Sequence, residues 1–111
     1  MTGADGRVST LRLITERGQN AQEIILVVRG ELDLATTEQL EQAVGDAVSA
    51  GAARIVVDLT ELQFIDSSGL MALIRGRQSV GSIGGLLILR NVPRQAKRVF
   101  ELTRTADLFA T

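Results

Sequence analysis

The chain has 111 residues, 45% of them hydrophobic, which suffices for one compact domain with its own core. A net charge of −1 and only three aromatics, Phe64, Phe100 and Phe109, argue against nucleic-acid binding by bulk electrostatics or base stacking. With no cysteine and no histidine, disulfide frameworks, thiolate metal sites, Ser-His-Asp triads and H-E-x-x-H zinc motifs are all excluded.

Residues 1–7 have neither the basic nor the apolar region of a signal peptide and are expected to form a flexible N-terminus ahead of a domain spanning residues 8–109. No apolar run approaches the ~20 residues that cross a bilayer, so a soluble, cytoplasmic protein without membrane contact is expected.

The first predicted strand is Thr10 to Thr15. A polar turn containing Gly18 and Asn20 then leads into a second strand, Glu23 to Arg29, forming a hairpin. The run Ile24-Ile25-Leu26-Val27-Val28 is β-branched enough to lie buried at the centre of a sheet. Gly30-Glu31-Leu32-Asp33-Leu34 then leads to Thr36, which with Gln39 has the spacing of a capping box and predicts a helix start. Leu40, Val44, Ala47 and Val48 form the apolar stripe of that helix, and Gly51 is placed to stop it.

The next strand is Arg54 to Leu59, joined to its predecessor by a helix and therefore expected to run parallel to it. A connector from Thr60 reaches Asp66, a helix follows from about Ser68 to Gln78, and a glycine-rich turn, Ser79 to Gly85, precedes the strand Leu86 to Leu89. Pro93 fits the first turn of a last helix carrying Ala96, Val99, Phe100 and Thr103 at helical spacing; Phe100 is expected in the core, and Leu108 with Phe109 in a final packed segment. The fold class is thus α/β: a mixed, mostly parallel sheet of four to five strands covered by about three to four helices.

Residues 85–111 hold five basic residues, Arg90, Arg94, Lys97, Arg98 and Arg104, against Glu101 and Asp107, a local net charge of +3. Such a cluster reads either as a solvated helix face or as a contact for an acidic partner.

The chemistry concentrates at Phe64-Ile65-Asp66-Ser67-Ser68-Gly69-Leu70, where two hydroxyls stand at a strand-to-helix junction. One reading is helix capping by Asp66 or Ser68, with Gly69 permitting a tight turn. Ser67, further out, is less needed for a cap and is the better candidate for an exposed functional hydroxyl. A phosphoryl group there adds roughly −1.5 to −2 charge beside Asp66 and can break an interface without unfolding the domain. An enzyme with Ser67 as nucleophile and Asp66 as helper is disfavoured, because a sequence-adjacent carboxylate seldom has general-base geometry and no histidine completes the set. No enzymatic activity and no cofactor are expected.

Gly30-Glu31-Leu32-Asp33, the strand Val56-Val57-Asp58-Leu59, the Asp66-Ser67-Ser68-Gly69-Leu70 element, and Asn91-Val92-Pro93 before a basic helix together resemble the anti-sigma factor antagonists of the STAS-domain family, over residues 8–109. The resemblance implies a partner-switching regulator. Unmodified, it binds an anti-sigma factor that is also a serine kinase and so frees a sigma factor; the kinase supplies ATP and magnesium, phosphorylation at Ser67 ends binding, and a serine phosphatase restores it.

The resemblance also implies that Asp66 and Ser68 flank the acceptor, that Gly69 and Leu70 shape the first helical turn, and that Glu31 and Asp33 lie in the same docking surface, whose partner-facing turn Met71 is expected to bulk out. For Asp33 a turn or cap carboxylate is the competing reading, and for Glu31 plain surface. A monomer or weak dimer is expected. The rival within the family is a non-switching scaffold subunit of a transporter or stress-signalling assembly, in which the serines only cap.

Two positions depart from the family pattern. Met71 stands where many relatives carry a small residue. Thr103-Arg104-Thr105 replaces a Thr-Gly pair, and since arginine takes a left-handed cap less cheaply than glycine, a different turn is expected there.

Overall fold

The computed structural model describes residues 10–109; the segment 1–7 lies outside the described residues. Four strands, β1 (Leu11–Arg17), β2 (Glu23–Leu32), β3 (Arg54–Ile65) and β4 (Leu86–Arg90), form one sheet in the order β1-β2-β3-β4. β1 and β2 make the expected antiparallel hairpin, from Leu11 opposite Gly30 to Arg17 opposite Ile24. β2, β3 and β4 are mutually parallel. Three α-helices, α1 (Thr37–Ser49), α2 (Ser67–Ser82) and α3 (Arg94–Leu102), and one 3-10 turn at Ala106–Leu108 complete the described chain.

The core follows the strand alternation. Leu26 and Val28 of β2, Ile55, Val57 and Leu59 of β3, and Leu87 and Leu89 of β4 join one cluster with Leu40, Val44 and Ala47 of α1, Leu70, Leu73 and Val80 of α2, and Ala96 and Phe100 of α3. Burying this face is the main stabilising term. Phe100 is a core residue as expected, and its ring stacks on Phe109 with centroids 5.7 Å apart. Leu108, expected to pack beside Phe109, instead turns outward at the end of the 3-10 turn and remains 37% exposed.

Three elements run well past the ends the sequence suggests, the first being β2, which continues from the expected Arg29 to Leu32 and so takes in Gly30 and Glu31. β3 continues past Leu59 to Ile65 by pairing with β2 as far as Leu32, and it carries the extra residue at two register shifts: Leu59 and Thr60 stand opposite Val28 alone, and Gln63 lies between the partners of Gly30 and Glu31. After these irregularities only Leu62 and Ile65 of the extension point inward, so the apolar spacing is three rather than two and reads as a connector. Gly30 makes the bend possible, with φ +103° and no room for a Cβ against the Thr10 carbonyl oxygen. α2 likewise continues through the expected glycine-rich turn to Ser82, because Val80, fully buried, completes its inward stripe; the turn is only Ile83–Gly85.

All three α-helices end in the same double hydrogen-bonded turn. The amides of Ala52, Gly85 and Thr105 donate to the carbonyls of Ala47, Val80 and Phe100 at 3.1, 2.9 and 2.9 Å, and the intervening residue is left-handed: Gly51, Gly84 and Arg104. The altered turn expected at Arg104 is therefore not found. Arg104 adopts φ 59° and the turn keeps its glycine-type geometry.

Asp58 is a buried carboxylate in the sheet. Burial opposes its ionisation, but hydrogen bonds from the Thr60 hydroxyl and amide and from Arg90 Nη2 at 2.8 Å prevail and lower its pKa to about 2. Arg90 is thereby tied to the sheet, whereas Arg94, Lys97 and Arg98 of the basic cluster lie exposed on α3.

Candidate functional site

The last paired residues of β2 and β3 are Leu32 and Ile65, so the loops that follow leave the sheet side by side at the carboxyl ends of parallel strands. The loop after β2 carries Asp33, and the residue after β3 is Asp66. The Asp66 amide donates to the Leu32 carbonyl at 3.3 Å, joining the two exits directly. Glu31 and Asp33 are in this way brought beside the serine turn.

Asp66 is the N-cap of α2. Its backbone is extended, its Oδ1 accepts from the Gly69 amide at 2.9 Å, and its carbonyl accepts from the Leu70 amide at 3.0 Å. The cap thus falls to Asp66 and not to Ser68. Ser67 and Ser68 are the first two residues of the helix, which begins one residue earlier than expected; Ser67 is exposed and Ser68 half-buried. Neither hydroxyl is spent on capping.

Gly69 and Leu70 act from beneath the surface. Leu70 is 2% exposed and anchors the first turn in the core. A Cβ at Gly69 would overlap the Leu32 carbonyl oxygen and stand 2.9 Å from both the Leu32 carbonyl carbon and Cγ. Glycine here lets the helix start press directly on the end of β2.

The facing loop is locked by its own polar groups. The Thr36 hydroxyl, on a residue only 3% exposed, donates to the Glu31 carbonyl at 2.9 Å and accepts from the Asp33 amide at 3.0 Å. Asp33 Oδ1 accepts from the Ala35 amide at 3.0 Å, the carboxylate-stabilised turn that was the competing reading for Asp33. The capping box expected from Thr36 and Gln39 does not form, because this compact loop claims the Thr36 hydroxyl and Gln39 Nε2 reaches instead to the Leu11 carbonyl at 3.2 Å.

Between the loop and the helix lies a shallow hollow of about 240 Å³ lined by Leu34, Thr37, Ser67, Ser68, Met71 and Arg75. Leu34 is 76% exposed and Met71 46%; Phe64, the register partner of Glu31, is 48% exposed. Arg75 Nε is 2.7 Å from Glu41 Oε2, pairing α2 with α1. An accessible hydroxyl thus sits on a rigid turn beside exposed apolar side chains and half-buried carboxylates, an arrangement suited to docking a protein surface.

Leu34, Phe64 and Arg75 were not singled out as surface residues from the sequence, nor was Thr37 as a residue of the hollow, which it lines while only 8% exposed. For Leu34 a signal existed: a leucine between Asp33 and Thr36, inside a tight polar turn, has no core within reach. Among the described residues no group of three or more carboxylates, cysteines or histidines could hold a metal, and no helix is long and apolar enough to cross a membrane.

Residues 13–111 match the STAS domain, and the chain belongs to that family. Within it, the chain is 32% identical over 89 residues to the anti-sigma-F factor antagonist RsfB of Mycobacterium tuberculosis, covering 78% of this chain and 73% of that protein. The crystal structure of an anti-sigma factor antagonist from Mycobacterium paratuberculosis superposes with a TM-score of 0.75 at 25% identity, over 98% of this chain and 87% of the other. Bacillus SpoIIAA, also an anti-sigma factor antagonist, shares the fold in both its unphosphorylated and phosphorylated forms, with TM-scores of 0.75 and 0.69 at 21% identity; each covers 89% of this chain, with 86% and 89% of SpoIIAA.

Proposed function

We propose that this protein is an anti-sigma factor antagonist that works by partner switching. With Ser67 unmodified it binds a kinase-type anti-sigma factor and frees a sigma factor; phosphorylation of Ser67 by that kinase, using its own ATP and magnesium, ends the complex. A serine phosphatase resets it. The protein is ligand and substrate rather than catalyst, acts in the cytoplasm, and is a monomer or weak dimer when alone.

The observation that carries this reading is an exposed Ser67 hydroxyl, free of capping duty, on a turn fixed by Asp66 and Gly69 and bordered by exposed Leu34 and Met71. The two solved forms of SpoIIAA lend support, since a STAS domain of this shape persists with and without phosphate. Energetics favour a switch at the interface rather than in the fold. A helix N-terminus accommodates an added anion with a gain of ~0.3–2 kcal/mol, so folding survives. Burying an unpaired dianion against a partner costs several kcal/mol, and each ~1.4 kcal/mol is tenfold in affinity.

The test is incubation with candidate kinase-type anti-sigma factors, ATP and magnesium, followed by mass-spectrometric mapping and a binding assay. Ser67→Ala should abolish the label and retain binding, and Ser67→Asp should weaken binding. A label confined to Ser68 overturns the assignment; equal affinity of the phosphorylated and bare forms overturns the mechanism.

A further inference from the structure

A second hollow, of about 260 Å³, lies between α1 and α2, and Arg75 lines both it and the hollow at Ser67. Its apolar lining is Val44, Val48 and the α-carbons of Gly45 and Gly76, with the Glu41–Arg75 pair at its edge. The two glycines differ in kind. A Cβ on Gly76 would make ordinary contacts with Leu87 and Val44, at 3.4 and 3.7 Å, so Gly76 belongs to the packing of α2. A Cβ on Gly45 would meet nothing within 4 Å, and Gly45 is not among the glycines with positive φ.

Gly45 therefore weakens the middle of α1 with no compensation inside the fold, where alanine would be better. Gly81 also has open space, but it lies in the last turn of α2 and lines neither hollow. What Gly45 provides is an open notch above an apolar floor. The helix bearing it is wholly acidic: Glu38, Glu41 and Asp46 are the charged residues of α1, and Glu38, Glu41, Gln42 and Gly45 line an adjoining depression. An apolar seat thus adjoins an anionic wall.

We infer that the docking surface extends from Ser67 along the α1–α2 groove, and that Gly45 is the seat for an apolar side chain of the anti-sigma factor, with separate Lys or Arg residues of the same segment against Glu38 and against Asp46, which lie about 12 Å apart along α1. This rests on the function proposed above and names the second half of its interface. The occupant is a basic segment with an apolar anchor, because the groove supplies apolar surface and negative charge together. The lining shared through Arg75 makes the two hollows neighbours on one surface.

The experiment compares wild type with Gly45→Ala, Gly45→Leu and Asp46→Lys against the anti-sigma factor that binds the wild-type protein in the assay above. Gly45→Ala should raise the Tm by a few degrees, since nothing opposes the methyl group. Gly45→Leu should fold at least as stably as wild type yet bind at least tenfold more weakly, while Asp46→Lys should weaken binding and flatten its salt dependence. Wild-type affinity in a folded Gly45→Leu variant overturns the inference and leaves the Ser67 reading standing.

A second arm needs no partner: a helical peptide of Lys and Leu, titrated into 15N-labelled protein, should shift the Gly45 and Gly76 amides, and a Glu and Leu peptide of the same pattern should not. Equal effects from both peptides, or none from either, overturn it. Failure of the wild type to bind any anti-sigma factor would count against the Ser67 reading alone, and the peptide arm would still decide the groove.

Discussion

Replacing Gly69 with alanine tests whether the serine turn is seated on the end of β2. The added Cβ would stand 2.9 Å from the Leu32 carbonyl carbon and 2.9 Å from Leu32 Cγ, and would overlap the carbonyl oxygen, whereas ordinary contact begins at 3.4 Å. The obstacle is mainly backbone, and Leu32 itself is fully buried, so no flexible side chain can swing aside. The start of α2 must back away, which costs about 1–3 kcal/mol as overpacking, and stretching the Asp66–Gly69 cap adds about 1 kcal/mol. Helix propensity returns about 0.5–1 kcal/mol. The net is a destabilisation of about 2 kcal/mol, or a fall in Tm of about 8 °C for a domain of this size. Thermal unfolding followed by circular dichroism measures the shift, and kinase-dependent labelling of Ser67 reports on the displaced turn. A Tm within a degree of wild type, with labelling unchanged, would refute the claim that this contact sets the acceptor.

Two further predictions concern the scaffold. Arg104→Gly should raise stability by about 0.5–1 kcal/mol, because a left-handed residue with a Cβ costs roughly 1–2 kcal/mol and the turn at the end of α3 already has the hydrogen bonds glycine would keep; a Tm that does not rise would show that Arg104 makes compensating contacts. Asp58 has a folded pKa of about 2, below the ordinary 3.8, so its stabilisation is complete above pH 3.8 and is lost as the pH falls through about 2. The full shift is worth about 2 kcal/mol, reduced to about 1–2 by solvent screening, since its partner Arg90 is 45% exposed. Urea unfolding between pH 2 and 5 should show that slope diminished in Asp58→Asn, and an unchanged slope would assign acid sensitivity elsewhere.

Much of the architecture is legible in the chain because it rests on local signals: the β-branched run of β2, the stripe Leu40, Val44, Ala47 and Val48, and the strand-helix-strand order that fixes parallel pairing. The errors share a cause. The second half of β3 is hidden because the extra residues β3 carries at its two register shifts against β2 change its inward spacing from two to three, and that irregularity is set by the pairing with β2. The Thr36 capping box fails because the loop's own buried polar groups compete for the same hydroxyl. At the site, the serine junction could be read from sequence, but the choice of Asp66 as cap is a matter of three-dimensional fit. The exposure of Leu34 and the open notch at Gly45 become visible only once the packed neighbours are known.

In the proposed switch, rigidity is what would let a modification this small act as an on-off signal. A phosphoserine on a mobile loop could rotate away from an approaching partner, but here the turn is held by the Asp66 cap, by Gly69 against Leu32, and by the locked loop from Asp33 to Thr36. Its added charge also finds little relief within the domain. Asp33 and Asp66 are negative, and Arg75, the cation lining the hollow, is already engaged by Glu41. Attraction between the phosphate and the basic segment inferred to dock on α1 would act across a solvated surface, where screening over ~8–10 Å limits it. Desolvation at Ser67 is local and unscreened, and it is the larger effect. On the proposed function, the partner would therefore have either to supply a cation at the seat of a neutral hydroxyl or to dissociate, and a surface complementary to the bare serine would have no place for that cation.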